Sequence, residues 1–148
     1  MGLWATIAAE ASGESPLWQE ALRSRDERKE EPVFSTLADA RYALGLETIY
    51  EGYLVHYGRS RIFAPVDDDA ALLLGDYLYA HGLVRIAELG RVDAVQELAE
   101  LISRCAHLRA EGEPGDGEAW ADTARRLDGN GDDSAREHAL AAHARLVG

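Results

Sequence analysis

Cysteine, proline and lysine are scarce in this 148-residue chain: one Cys, four Pro, and a single Lys among 15 basic residues. The lone Cys105 excludes an intramolecular disulfide. The prolines stand at 16, 32, 65 and 114, which leaves long stretches free to be helical. No apolar run reaches 18 residues, so no membrane span is expected. Positive charge is also in deficit: 15 bases against 27 acids leave a net charge of −12. A surface this acidic repels phosphate backbones and anionic headgroups, so general nucleic-acid binding is not expected. Acids exceed bases 9 to 5 in residues 1–50, 9 to 6 in 51–110 and 9 to 4 in 111–148, and no basic patch is anticipated.

No segment alternates with the period of a strand, and Val and Ile are sparse beside Ala and Leu. The pattern predicts an all-α domain. Residues 1–31 read as N-terminal helices: a short one over Leu3–Ala11, then one capped by Ser15 with Pro16 in its first turn and running to about Lys29. Residues 33–112 read as the core, with helices over Thr36–Tyr57, Ala70–Leu89 and Val92–Ala110. Residues 113–148 read as two short helices, about Glu118–Leu127 and Ala135–Val147, and as the part most prone to be mobile.

Between Ala70 and Val84 the only charged residue is Asp76. A helix apolar all round is normally buried all round, so Ala70–Leu89 is expected at the centre of the bundle. Asp67-Asp68-Asp69 before it suits helix capping better than Mg²⁺. Gly75 and Gly82 lie seven apart on one face, where a neighbouring backbone could approach closely. Asp76 would then be a buried acid, held by a structural partner or facing a ligand.

Chemistry-bearing motifs are few. The five histidines show no zinc spacing. Asp128, Asn130 and Asp132 begin like a calcium loop, but Asp133 and Ala139 stand where Gly and Glu are required. Glu47 and Glu51, one turn apart, could hold a cation or line a solvated face. An apolar cleft beside Asp76, Tyr77, Tyr79 and His81 could hold a prenyl chain or other lipid.

Leu73-Leu74-Gly75-Asp76-Tyr77-Leu78, the following Ala87-Glu88-Leu89-Gly90, and Leu54-Val55-His56 resemble segments of the trans-polyprenyl diphosphate synthases. The likeness spans residues 36–113 and implies part of the isoprenoid synthase fold. It also implies that Arg59 and Arg61 echo diphosphate-binding arginines and that His56 leads into the site. Tyr57 and Gly58 stand where the family has its first Mg²⁺-holding aspartates, and a second aspartate-rich motif is missing. Ionising a diphosphate needs carboxylate-held metal ions, so the resemblance implies a non-catalytic relative.

The expectations are therefore a non-catalytic accessory or oligomerising subunit without cofactor or metal, partnered by itself or by a larger subunit. A binder of a small apolar molecule and a Mg²⁺-dependent prenyl transferase are the alternatives. The expected ligand-facing residues are Asp76, Tyr77, His81, His56, Arg59 and Arg61. The Arg-for-Lys bias and the lack of a basic leader suggest a bacterial, cytoplasmic protein.

Overall fold

A computed structural model describes residues 1–148 and contains seven α-helices and no strand. They are α1 (Leu3–Glu14), α2 (Pro16–Glu20), α3 (Ala43–Tyr57), α4 (Asp68–Ala87), α5 (Val92–Ala110), α6 (Asp116–Arg126) and α7 (Asp133–Val147). Single 3-10 turns lie at Arg25–Glu27, Phe34–Leu37 and Ala40–Tyr42. No helix is long and apolar enough to cross a membrane.

Side-chain caps set several helix starts. Ser15 Oγ accepts from the Leu17 N–H at 3.1 Å, and Pro16 needs no partner at the first position. Asp67 and Asp132 accept from Ala70 and Ala135 N–H, each at 2.8 Å, at the heads of α4 and α7. Gly90, at φ +79°, terminates α4 in the left-handed conformation that glycine adopts without strain.

The expected helix over Thr36–Tyr57 begins only at Ala43, because residues 34–42 form two 3-10 turns that wrap across the core. The expected helix through Lys29 stops at Glu20. The backbone after it turns to meet residues 62–64 instead: Arg23 N–H bonds the Ile62 carbonyl at 2.8 Å and Ala64 N–H bonds that of Ala21 at 2.7 Å. These bonds cannot form if the chain continues as a helix.

The central helix is α3, not α4. Every residue of α3 from Gly45 to Val55 is buried. On α4 only Leu74, Gly75, Leu78, Gly82 and Ile86 are buried, while Leu72, Leu73 and Val84 are 56%, 59% and 52% exposed. Asp76 accordingly lies at the surface, its side chain 64% exposed. The apolar run 70–84 thus marks a helix with one face in the core and an apolar outer face.

Antiparallel α3 and α4 meet through two pairs of glycines. A Cβ at Gly52 would fall 2.9 Å from the Gly75 carbonyl oxygen, and one at Gly82 would fall 3.1 Å from that of Gly45. A Cβ at Gly82 would also meet Ile49 Cγ1 at 2.4 Å. The shared face of Gly75 and Gly82 is thus matched by Gly45 and Gly52, again seven apart, and the two backbones approach closely there.

The main core joins α3, α5, α6 and α7 with the 34–42 turns. Phe34, Tyr50, Tyr53 and Trp120 pack as an aromatic group, with Phe34 and Trp120 stacked at 5.6 Å. The C-terminal helices therefore dock on the bundle: Trp120, Ala121, Ala124, Ala139 and Ala142 are buried in it. A second, smaller cluster packs α1, α2 and Phe63 against α3 and α4.

Candidate functional site

The six residues singled out from the sequence separate into three places. His56 and Asp76 meet on the outer flank of α3 and α4, Nε2 to Oδ1 at 3.5 Å, and His56 Nε2 lies 3.1 Å from the Leu72 carbonyl oxygen. Tyr77 and His81 lie on the side of α4 that faces α1, stacked at 5.4 Å. There His81 Nε2 contacts Glu10 at 2.5 Å, Tyr77 donates to the Glu10 carbonyl at 3.4 Å, and Arg85 pairs with the same Glu10 carboxylate. The expected cleft shared by Asp76, Tyr77 and His81 therefore does not form, because these side chains leave α4 in different directions.

Arg61 is buried and committed to α3. Its guanidinium lies between the two carboxylates one turn apart, 2.5 Å from Glu47 and 2.7 Å from Glu51. The cation held by Glu47 and Glu51 is thus a guanidinium. Glu47 also accepts the Val33 and Ser35 N–H groups, both at 3.1 Å, and Glu51 accepts the Arg61 N–H at 3.1 Å and the Ser60 hydroxyl. Arg61 donates further to the Glu31 carbonyl at 2.9 Å and lies over the Trp4 and Tyr50 rings at 4.4 and 5.0 Å. Burial opposes its charge, but Glu47 and Glu51 outweigh it and raise the pKa. Arg61 therefore cannot serve as a diphosphate ligand; its role is to pin residues 31–35 and 58–63 to α3.

A second buried network was missed by sequence reasoning. With Asp116 ionised, His143 Nε2–H faces its Oδ2 at 3.1 Å and Nδ1 accepts from the Tyr50 hydroxyl at 2.6 Å. Tyr53 and Arg109 donate to the same carboxylate oxygen at 2.6 and 2.7 Å. Burial works against the Asp116 charge, but the hydrogen bonds from Tyr53, Arg109 and His143 hold its carboxyl down to about 2. Burial outweighs Asp116 at His143 and lowers its pKa, and burial raises that of Tyr50. The Tyr–His–Asp order resembles a proton relay, yet Tyr50 is fully buried and none of these three residues lines any of the five principal concavities. The network joins α3, α6 and α7. Its members are spread from residue 50 to residue 143, so no local spacing signals it.

No three His, Cys, Asp or Glu side chains are grouped to hold a metal ion. Asp128 pairs with Arg41 and Arg91, and Asp132 caps α7, so the calcium-like spacing does not converge. Cys105 is buried, and burial pushes its thiol up to about 12.

Two concavities stand out as places where something could bind. An open groove of about 310 Å³ runs between α4 and α5, lined by Asp76, Tyr79, Ala80, Leu83, Ala99 and Ile102. A smaller cavity of about 110 Å³ is lined by Lys29, Arg59, Arg61 and Arg145 with Glu31, Val33, Ala142 and Leu146. The second corrects the expectation of no basic patch: bases far apart in the chain converge there.

No family model, curated protein or solved structure matches the chain. The resemblance to the polyprenyl synthases gains no support from these comparisons, and the functional reading rests on geometry.

Proposed function

We propose that this chain is a non-catalytic helical accessory protein that receives an amphipathic helix of a larger subunit in the α4–α5 groove. One observation carries the reading: α4 leaves apolar surface uncovered, with Leu72, Leu73 and Val84 exposed, and Tyr79, Ala80 and Leu83 form with Ala99 and Ile102 an open apolar groove against α5. Exposed apolar surface and apolar helix-lined grooves mark interaction sites. Charge selects the partner. Exposed acids of α4 and α5 include Asp68, Asp69, Asp76 and Glu100, whereas Arg85, Arg91 and Arg109 are already paired and Arg104 alone is left free. The complement is a helix with a basic flank, and a second copy of a chain with net charge −12 is a poor fit.

The test titrates ¹⁵N-labelled protein with an 18-residue Leu/Lys amphipathic peptide and, in parallel, its Leu/Glu counterpart. The expected result is that the basic peptide shifts Asp76, Ala80, Ala99 and Ile102, that the acidic one does not, and that Leu83→Glu abolishes the effect. Shifts elsewhere, no shifts, or self-association through this face by light scattering would overturn it.

A second reading, a small apolar ligand, is supported by a groove of about 260 Å³ lined by Leu17, Trp18, Ala21, Ala64, Val66 and Leu73. Native mass spectrometry that finds only the bare mass would remove it. Nothing in the geometry favours a Mg²⁺-dependent transferase, since Asp67 is spent capping α4.

A further inference from the structure

We infer that the cavity between Lys29, Arg59 and Arg145 is a binding site for a small soluble phosphate-like oxyanion. This inference is independent of the α4–α5 groove.

The starting point is where the unpaired positive charge sits. Eight arginines have a carboxylate partner within 4.0 Å. With 27 acids for 15 bases, pairing should be easy everywhere. Yet all the unpaired bases except Arg104 cluster in residues 23–29 or beside this cavity. Lys29, Arg59 and Arg145 come from three segments and line one concavity. Like charges repel, and the crowding is felt nearby: the Arg23 pKa is lowered by burial and then by the charge of Arg59.

The site is held from several sides. Arg59 N–H bonds the Leu146 carbonyl at 2.8 Å, and Lys29 N–H bonds the Arg61 carbonyl at 3.0 Å. Arg145 is in the last turn of α7. Arg61 forms part of the wall, with its guanidinium spent on Glu47 and Glu51. Three free cationic heads with a positioned backbone suit a tetrahedral oxyanion, since guanidinium forks match phosphate oxygens and an ammonium adds a point charge. The cavity, about 110 Å³, has room for a small hydrated anion. Glu31, which also lines the cavity, opposes the anion and so gives a variant of opposite sign.

The bases also lie near the negative end of α7 and over a buried cluster with one more carboxylate than guanidinium. The experiment separates that structural account from binding. Calorimetry and thermal melts would be run with inorganic phosphate at low ionic strength, against chloride at matched ionic strength. Phosphate is expected to bind and to raise Tm. Arg59→Gln and Arg145→Gln should each weaken binding about tenfold, the loss of one charge-assisted hydrogen bond. Glu31→Gln should tighten it, and Arg104→Gln should leave it unchanged. Circular dichroism checks that the variants fold.

Three results would overturn the inference. One is no phosphate binding by the wild type. Another is undiminished binding by the Arg59→Gln/Arg145→Gln pair. The third is binding to phosphatidylcholine vesicles containing phosphatidic acid without any response to inorganic phosphate, which would make the site a membrane contact.

Discussion

Helices α3 and α4 lie side by side and exchange roles relative to their composition. α3 carries Glu47 and Glu51 in its middle and is buried from Gly45 to Val55; α4 has only Asp76 among its central charges and leaves a face in solvent. The contrast shows that the number of charges in a helix does not decide its depth. What decides it is whether the rest of the chain can bring a partner to each charge. Arg61, the Val33 and Ser35 amides and the Ser60 hydroxyl do this for the two glutamates. An acid with such partners is compatible with full burial. Asp76 has no comparable set and stays outside.

The sharpest way to break this contrast is to remove Arg61. Arg61→Met should destabilise the protein by about 3–5 kcal/mol, since both glutamates would remain buried without their counter-charge. Urea unfolding followed by circular dichroism measures it. A cost below about 1 kcal/mol would mean that the backbone donors alone satisfy the glutamates.

The close approach of the two helices comes next. Gly82→Ala places a Cβ 2.4 Å from Ile49 Cγ1 and 3.1 Å from the Gly45 carbonyl oxygen. Overpacking of this kind costs about 1–3 kcal/mol. Gly52→Ala, against the Gly75 carbonyl at 2.9 Å, should behave alike. Gly13→Ala, where no atom lies within 4 Å, should not. Thermal melts of the three variants decide.

The buried histidine should make stability depend on pH. The His143 pKa is lowered by burial, so the unfolded chain takes up the proton first. Its contribution is complete above the unfolded value near 6.5 and declines as pH falls below it, by at most about 1.4 kcal/mol per pH unit. Asp116, held down to about 2, adds a second loss between the ordinary carboxylate range and that value. Urea midpoints from pH 7.5 to 5 should fall for the wild type, and the upper part of this slope should vanish in His143→Gln. A flat profile in the wild type would show that His143 takes up its proton equally readily folded and unfolded, and midpoints that rise on acidification would show that the folded state favours the charged ring.

The smallest effect belongs to the outer face of α4. Asp76→Asn and Leu73→Gln should each change stability by less than about 0.5 kcal/mol, as surface substitutions do. A cost several times larger would place α4 back in the interior.

Much of the secondary structure was legible. Val92–Ala110 matches α5 residue for residue, and Asp67, Ser15 and Gly90 mark helix ends as their chemistry demands. Residues 21–42 were not legible, because their bonds go to Ile62, Glu47 and other distant partners that periodicity does not encode. The candidate site was read only in pieces. Arg59 was noticed, but Lys29 and Arg145 carry no mark that links them to it over intervals of 30 and 86 residues. The aspartate–histidine–tyrosine network is hidden for the same reason.

Composition and helical spacing by themselves determined an all-helical chain with one thiol, no apolar run long enough to cross a membrane, and glycines poised for close helix contact. Those properties are local: they depend on which residues lie within a few turns of each other. Only the tertiary structure decided which helix lies inside, which acids are neutralised and where the unpaired bases meet. Burial and pairing join residues distant in the chain, and the cost of an isolated buried charge selects the arrangement in which each finds its partner.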